Sequence, residues 1–458
     1  MKKPRNKKRR RIIWLSILGV FVAALIACAI FLYPVLYDPA SIFKSAQGHA
    51  PATAGGSPLY LGDGGITYEP PPLPEGRVNI LLMGIDEEFK TYAADYHTDT
   101  MIVLSVDFES GAVDLISLRR DTFALIPGVR GYYKLNAAIN VGGGIYAKDH
   151  AGFLKVCEAA EWMLGGISVD YFYALQIPAL IEIVDLIDGV DYHVDVESAG
   201  GLLQPGYQRL NGEQVAAYVR IRKEMISGGE GDINRVRRQK DMLIAIFSKL
   251  KDQNMLSLFP SLVSTVNRGV FTNTSLQQTL ALLAWSRNLD AKSIGLYSMD
   301  GPMHMAMGWG FCFPDQQERV DIIKKVYGVD VPPMADASYA SAQWAYRTRF
   351  EGPKHMGVAD RVYAYAREVW GDTLTQPQQE RMDLLAVQYT ALADAYRDAY
   401  LSPQSYALTV TMRKACTALR KTVEQLAKDC SYPTPLNWTR GSSWTADKDI
   451  NEVTVDFR

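Results

Sequence analysis

Polar positions vanish from the chain between Ile12 and Tyr33, where IIWLSILGVFVAALIACAIFLY carries no charged side chain. At about 1.5 Å per residue such a run can cross the roughly 30 Å of a bilayer's hydrocarbon core. It predicts a membrane-spanning helix. After Asp38 the apolar period is lost in GHAPATAGGSP and YEPPPLPEG, a composition of small residues, Gly and Pro that predicts a tether. From Val78 the pattern changes again: VNILLMG, TMIVLSV and AVDLISL are short β-rich runs bounded by Gly, Asp or polar residues, and predict three strands.

The next stretch alternates helical and extended patterns. Ala151 to Leu164 predicts a helix, YFYALQI a strand, IEIVDLI a short helix or strand, and VDYHVDV a strand. Asn211 to Arg222 predicts a helix opened by a capping box, with Asn211 as cap and Gln214 three positions on. Asp232 to about Leu250 predicts a second helix with Asp232 at its positive end. SIGLYSM reads as a strand, the Gly- and aromatic-rich stretch around Trp309 as a loop, and Gln316 to Tyr327 as a closing helix. Beyond Pro332, Met382, Leu385, Tyr389, Leu392, Tyr396 and Ala399 recur at steps of three and four. Leu408, Met412, Ala415, Leu419 and Leu426 make a second seam after Ser402-Pro403, so an antiparallel helical hairpin is expected, its aromatic stripe serving as core.

The fold class is therefore α/β, a layered mixed β-sheet flanked by helices, preceded by one transmembrane helix and followed by a C-terminal helical region. The expected divisions are a basic segment 1–11, the span 12–37, the tether 38–77, the α/β domain 78–330 and the helical extension 331–458.

Charge fixes the orientation of this arrangement. Lys2, Lys3, Arg5, Lys7, Lys8, Arg9, Arg10 and Arg11 precede the apolar run, and such clusters stay on the cytoplasmic side facing anionic lipid. A cleaved secretory signal shares this start, but its apolar core is only about 7–15 residues long. The whole chain has net charge -2, so without the basic block the remainder is acidic, which argues against general nucleic-acid binding. Five cysteines are few for 458 residues and give no disulfide framework. The histidines have no metal-ligand spacing, no G-x-S-x-G or Walker-type loop is present, and Gly142 to Gly144 signals little alone.

Three charged clusters carry the candidate chemistry. Asp86 follows VNILLMGI and Asp99 lies in HTDTMIVL; Arg119, Arg120 and Asp121 follow AVDLISL; Arg220 and Arg222 close one helix, with Asp232, Arg235, Arg238 and Gln239 on the next. Strand ends are where α/β sheets place ligands. Arg235, Arg238 and Gln239 share a helical face, and like charges so placed repel unless an anion lies between them. Arginine's planar fork suits phosphate oxygens, and two carboxylates nearby are what Mg²⁺ uses alongside phosphate. The bland alternative is structural pairing with Glu213, Glu224, Glu230 or Asp241.

The ordered succession HTDTMIVLSVDFESGAVDLISLRRDTFALIPG, YYKLNAAINVGGG, GYQRLNGEQVAAYVRIRK and GDINRVRRQ resembles the catalytic domain of the LytR-CpsA-Psr family from about Val78 to Gly328. The resemblance implies a Mg²⁺-dependent phosphotransferase in a Gram-positive type of cell envelope. Such an enzyme moves an anionic glycopolymer, of teichoic acid or capsule type, from a polyprenyl pyrophosphate carrier onto peptidoglycan as a phosphodiester. It implies metal binding by Asp86 and Asp99, and catalytic roles for Asp99, Arg120, Asp121 and Asp232. It further implies pyrophosphate binding by Arg120, Lys134, Arg220, Arg222, Arg235, Arg238 and Gln239, with Asn136 in the Lys-x-Asn-Ala motif. Two positions depart: His97 stands where the family usually has Arg, and Arg119 where it usually has Pro. Rival readings are a non-catalytic binder of polyprenyl-linked glycans, a pyrophosphatase acting on the carrier, and a scaffold whose C-terminal hairpin docks wall enzymes.

Overall fold

Alternation along RVNILLMGID sends Val78, Ile80 and Leu82 to one face of a strand and Leu81, Met83 and Ile85 to the other. Both sets are apolar, so this strand must lie in a sheet covered on both sides. The computed structural model bears this out. It describes residues 31–43, 59–60, 67–68, 70–86, 97–127, 132–195, 201–221, 230–251, 269–287, 289–306, 309–334, 337–401 and 406–438. The basic block, the apolar run up to residue 30, most of the tether and Arg222 lie outside these residues. Among the described residues no helix is long and apolar enough to cross a membrane.

The described chain opens with helical residues 31–37 (α1), the single turn Pro39–Ile42 (α2) and the paired dipeptides Leu59–Tyr60 (β1) and Thr67–Tyr68 (β2). Then come Arg77–Asp86 (β3), His97–Asp107 (β4), Val113–Leu118 (β5), and the hairpin Phe123–Leu125 (β6) with Tyr132–Lys134 (β7). Ala138–Val141 (α3) and Ala151–Met163 (α4) lead to Tyr171–Gln176 (β8), which runs straight into Ile177–Leu186 (α5). Val190–Val194 (β9) pairs with Gly206–Leu210 (β10), followed by Gly212–Tyr218 (α6) and Glu230–Lys251 (α7). Val270–Thr272 (β11), Leu276–Ser286 (α8), Gly295–Met299 (β12), the hairpin Met303–Ala306 (β13) with Trp309–Cys312 (β14), and Gln316–Tyr327 (α9) complete the α/β unit. Tyr339–Trp370 (α10), Gln376–Leu401 (α11) and Tyr406–Asp429 (α12) follow.

The central sheet has the order β11-β8-β3-β4-β5-β12. The pairs β8/β3 and β5/β12 are parallel and the others antiparallel. This fixes which ends meet: the ends of β3, β5, β8 and β12 and the start of β4 share one edge. One face packs Leu81, Met83, Met101, Val103, Ile116 and Leu118 against α4 and α9. The other carries Leu82, Leu104, Val106, Val113 and Leu115 beneath α7 and α8.

The triple glycine has a structural reason. Gly143 (φ 95°) and Gly144 (φ 84°) turn the chain after α3, and a Cβ on Gly142 would overlap the Ala151 carbonyl at the start of α4. Other expectations shift at their edges. The Asn211 capping box forms, but α6 ends at Tyr218 rather than at Arg222. The stretch around Trp309 is a β-hairpin, because Met303 to Ala306 pair with Trp309 to Cys312. The expected C-terminal hairpin is two-thirds of a three-helix bundle with its own core of Val362, Leu385, Tyr389, Leu419 and Leu426. Its first helix continues through Gly352-Pro353, where Gly352 lets the Tyr396 ring approach to 2.7 Å of the site a Cβ would fill. Cys416 and Cys430 are free and buried, at or just past one helix.

The substitution Gly142→Ala should overpack the α3–α4 contact and cost about 1–3 kcal/mol. A shifted urea midpoint at unchanged slope is the expected result.

Candidate functional site

Strand β5 ends in two arginines that diverge to its two neighbours. Arg120 reaches β4, its Nη1 2.7 Å from Asp99 Oδ1. Arg119, 3% exposed, reaches the end of β12, its Nη1 2.7 Å from Asp300 Oδ1. The chain leaves β5 at Leu118 and turns, with the Thr122 N–H donating to the Arg119 carbonyl at 3.1 Å, and the two guanidinium groups go to different carboxylates. Arg119 clamps the strand ends. Asp300 also accepts the Gly301 amide at 2.7 Å, and burial pushes the Cys312 thiol beside it up to about 12.

The carboxylate opposite Arg120 is placed by a β-bulge. Gly84 pairs with Thr100 and Ile85 with Thr98, so Asp99 is the extra residue in β4. The burial pattern records it: Thr98 and Met101 are buried with two partly exposed residues between them. Asp86 ends β3 directly across from His97, which places both metal-candidate aspartates on adjacent strands at the shared edge. The Asp86 side chain lies outside the described residues.

Arg120 Nε lies 3.3 Å from Asp121 Oδ2, and Lys134 Nζ lies 2.6 Å from Asp121 Oδ1. Backbone bonds lock this register: Asn136 N–H donates to the Arg120 carbonyl at 3.0 Å and Cys312 N–H to the Asp121 carbonyl at 2.9 Å. The result is an alternating chain Asp99–Arg120–Asp121–Lys134. Burial alone would raise the Asp121 pKa, but the hydrogen bond from Lys134 and the Arg120 charge outweigh it and hold the carboxyl below its ordinary value. Lys134 Nζ also sits 5.8 Å from the centroid of the Trp309 ring, which is 62% exposed.

Helix α7 crosses from this edge over the sheet. Lys240 Nζ donates to Ser298 Oγ at 2.8 Å on β12, and Lys251 Nζ to the Leu289 carbonyl at 2.6 Å, so the start of α7 lies toward the polar edge. Asp232 occupies its first turn. Arg235 and Arg238 are 2% and 1% exposed. For Arg238 the anion its spacing demands is internal: Asp195, at the end of β9, accepts its Nε at 3.1 Å and also binds Arg237 and, at 2.8 Å, the Tyr218 hydroxyl. The Gln239 amide donates to the Val219 carbonyl at 3.3 Å, and Arg220, exposed at the end of α6, donates from Nε to the Ala216 carbonyl at 3.0 Å. Further along α7, Leu243, Ile244 and Phe247 roof a cavity of ≈ 190 Å³ between the sheet face and α8, walled by hydrocarbon from Leu104, Leu115, Leu283 and Trp285.

Sequence reasoning missed Asp195 and Asp300. Asp195 lies within the predicted strand VDYHVDV and Asp300 directly follows SIGLYSM, but only the pairing of β12 with β5 reveals Asp300 as the partner of Arg119. Among the described residues no group of three acidic, His or Cys side chains is placed to hold a metal ion. The oxygen donors of Asp99 and Asp86 suit a hard ion completed by phosphate oxygens and water.

A mixed sheet with an edge of paired charges, and an apolar cavity under the helix that leads from that edge, defines the class as an α/β protein with a polar and an apolar site joined by α7. Residues 66–341, more than half of the chain, match the LytR_cpsA_psr family, and the chain belongs to it. It is 26% identical over 247 residues to Biofilm regulatory protein A of Streptococcus mutans, covering 50% of this chain and 57% of that one. It is 25% identical over 253 residues to the polyisoprenyl-teichoic acid--peptidoglycan teichoic acid transferase TagU of Bacillus mycoides, covering 54% and 77%. The chain thus spans little more than half the length of the first relative. Among solved structures it resembles the family protein YwtF (TagT) with bound octaprenyl pyrophosphate lipid, at 23% identity and TM-score 0.41, covering 56% of this chain and 92% of that one.

Because the folded-state pKa of Asp121 is depressed, its ion pairs stabilise the fold above the unfolded value near 3.8, and that contribution is lost as pH falls through the lower folded value. Asp121→Asn should therefore be less stable than the parent at pH 7. In paired denaturation curves the gap should close as pH falls below 3.8.

Proposed function

We propose that the protein transfers a polyprenyl-pyrophosphate-linked anionic glycopolymer to peptidoglycan at the outer face of a cytoplasmic membrane. The observation that carries this reading is the continuity of α7 from the charged edge to the apolar cavity. One ligand with a diphosphate and a long hydrocarbon tail satisfies both ends. Membership of the family and the transferase activity for which TagU is named support it.

In this reading Arg120, Lys134, Arg220 and Arg222 hold the diphosphate, with Arg235 and Arg238 bracing α7 behind them. Asp99 with Asp86 would hold Mg²⁺, which when bound neutralises phosphate charge. An acceptor sugar hydroxyl attacks the phosphorus nearer the glycan, a new P–O bond forms, the bond to the bridging oxygen breaks, and lipid monophosphate leaves. The hydroxyl proton passes to a carboxylate, Asp99 or Asp232. Positioning and charge neutralisation dominate such a transfer, so removal of one guanidinium is costly. The exposed indole of Trp309 beside Lys134 gives an acceptor ring a flat apolar face.

Arg120→Ala and Arg222→Ala should each abolish transfer from a polyprenyl pyrophosphate donor while the chain stays folded, and chelation should stop the parent protein. Normal turnover by both variants would remove the site assignment; full activity in chelator would remove the metal. Binding in a single-turnover assay without exchange of the phosphate linkage would favour the non-catalytic binder.

Filling the cavity tests the lipid half separately. Leu283→Trp should weaken use of long-chain polyprenyl donors and spare short-chain ones, read as a change in the ratio of their kcat/KM values. Equal losses for both donors would detach the cavity from the substrate.

A further inference from the structure

The stretch that composition assigns to the end of the span and the start of the tether is docked on the α/β unit. Val35 and Phe43 are 4% and 3% exposed. Gln277 Nε2 donates to the Phe31 carbonyl at 2.9 Å and Gln278 Nε2 to the Ile42 carbonyl at 3.2 Å, both from the first turn of α8. The Phe43 ring stacks on Phe108 at 5.6 Å and meets Tyr171 edge-on at 5.4 Å, and Phe108 in turn meets Trp285 at 5.3 Å. Residues 31–43 are a collar on the domain, packed well before the Pro-rich chain begins.

The outer side of the collar is apolar. Phe31, Leu32, Tyr33, Leu36 and Tyr37 are 38–75% exposed, an unusual concentration for so short a segment. A cleft beside it is lined by Leu36 and Tyr37 from α1 and by Phe108, Trp285, Lys251 and Arg287 from the domain. Trp285 lines both the apolar cavity and this cleft.

We propose that the exposed face of α1, with this cleft, seats in the outer interfacial layer of the lipid bilayer. The occupant follows from the sequence: α1 continues an uncharged run that begins at Ile12, so its exposed side chains emerge where hydrocarbon gives way to headgroups. Tyr33 and Tyr37, ring centroids 5.4 Å apart, have the amphipathic character of residues at that boundary, and Arg287 suits anionic headgroups. The inference rests on the spanning run of the proposed function. It adds that the collar, rather than the length of the tether, sets the height and tilt of the domain. It also turns the cleft beside Trp285 toward the lipid from which the polyprenyl chain is drawn.

The test uses the full chain in proteoliposomes of phosphatidylcholine and phosphatidylglycerol, with Cys28→Ser and a nitroxide on Tyr37→Cys or, as the aqueous reference, on Tyr207→Cys, which is 81% exposed on β10. Collision with oxygen relative to a water-soluble nickel chelate should be at least about threefold higher at position 37 than at 207, as expected at an interfacial depth. Equal ratios in a chain that floats with the vesicles would overturn the seat while leaving the span intact. A chain that remains in the aqueous fraction would overturn both. Transfer activity, assayed separately, enters neither outcome.

Discussion

Two adjacent arginines at the end of β5 hold together the edge on which everything else depends. The chain turns just after β5, and the neighbouring strands each supply one carboxylate, Asp99 on β4 and Asp300 after β12. The buried arm through Arg119 is structural: truncating one partner of a desolvated pair strands the other charge, which generally costs more than the pair itself contributes. The partly exposed arm through Arg120 leaves a guanidinium at the solvent boundary, aligned by Asp99 and Asp121 and able to receive an anion. Arginine at position 119 thus adds a tie between the ends of β5 and β12.

The central strands, α4, α9 and the Asn211 capping box were legible because each depends on local rules: apolar alternation, a 3.6-residue period, a side chain capping its own helix. Asp99, Arg120, Asp121 and Lys134 were legible as a set because the motif that contains them is ordered along the chain, and the structure brings them into one line of contacts. What stayed hidden depends on pairing between distant segments. No periodicity shows that β12 lies beside β5, so Asp300 could not be named. Asp195 was hidden for the same reason, and with it the fact that Arg238 finds its counter-charge inside the protein. The bulge at Asp99 leaves a trace, two partly exposed residues between buried Thr98 and Met101, but a single polar Thr-Asp-Thr run does not distinguish a bulge from a frayed strand end.

The N-terminal end of the described chain shows how composition can mislead about mechanics. Pro, Gly and small residues predict a tether after Asp38, yet near its start Phe43 is buried against the α/β unit, and further along Leu59–Tyr60 pairs with Thr67–Tyr68. The Phe43 ring stacks on Phe108 and meets Tyr171 edge-on, which fixes the chain to the domain at that point.

The C-terminal helices bury their own core, and none of its residues belongs to the core of the sheet domain. Among the described residues the two units meet where Tyr339 stacks on His304 at 4.4 Å. Cooperativity follows core boundaries, so heat should melt the molecule in two steps, each with its own enthalpy. A calorimetric trace of this protein is then a record of two independent units sharing one chain, and a substitution in the bundle moves one peak while leaving the other where it was.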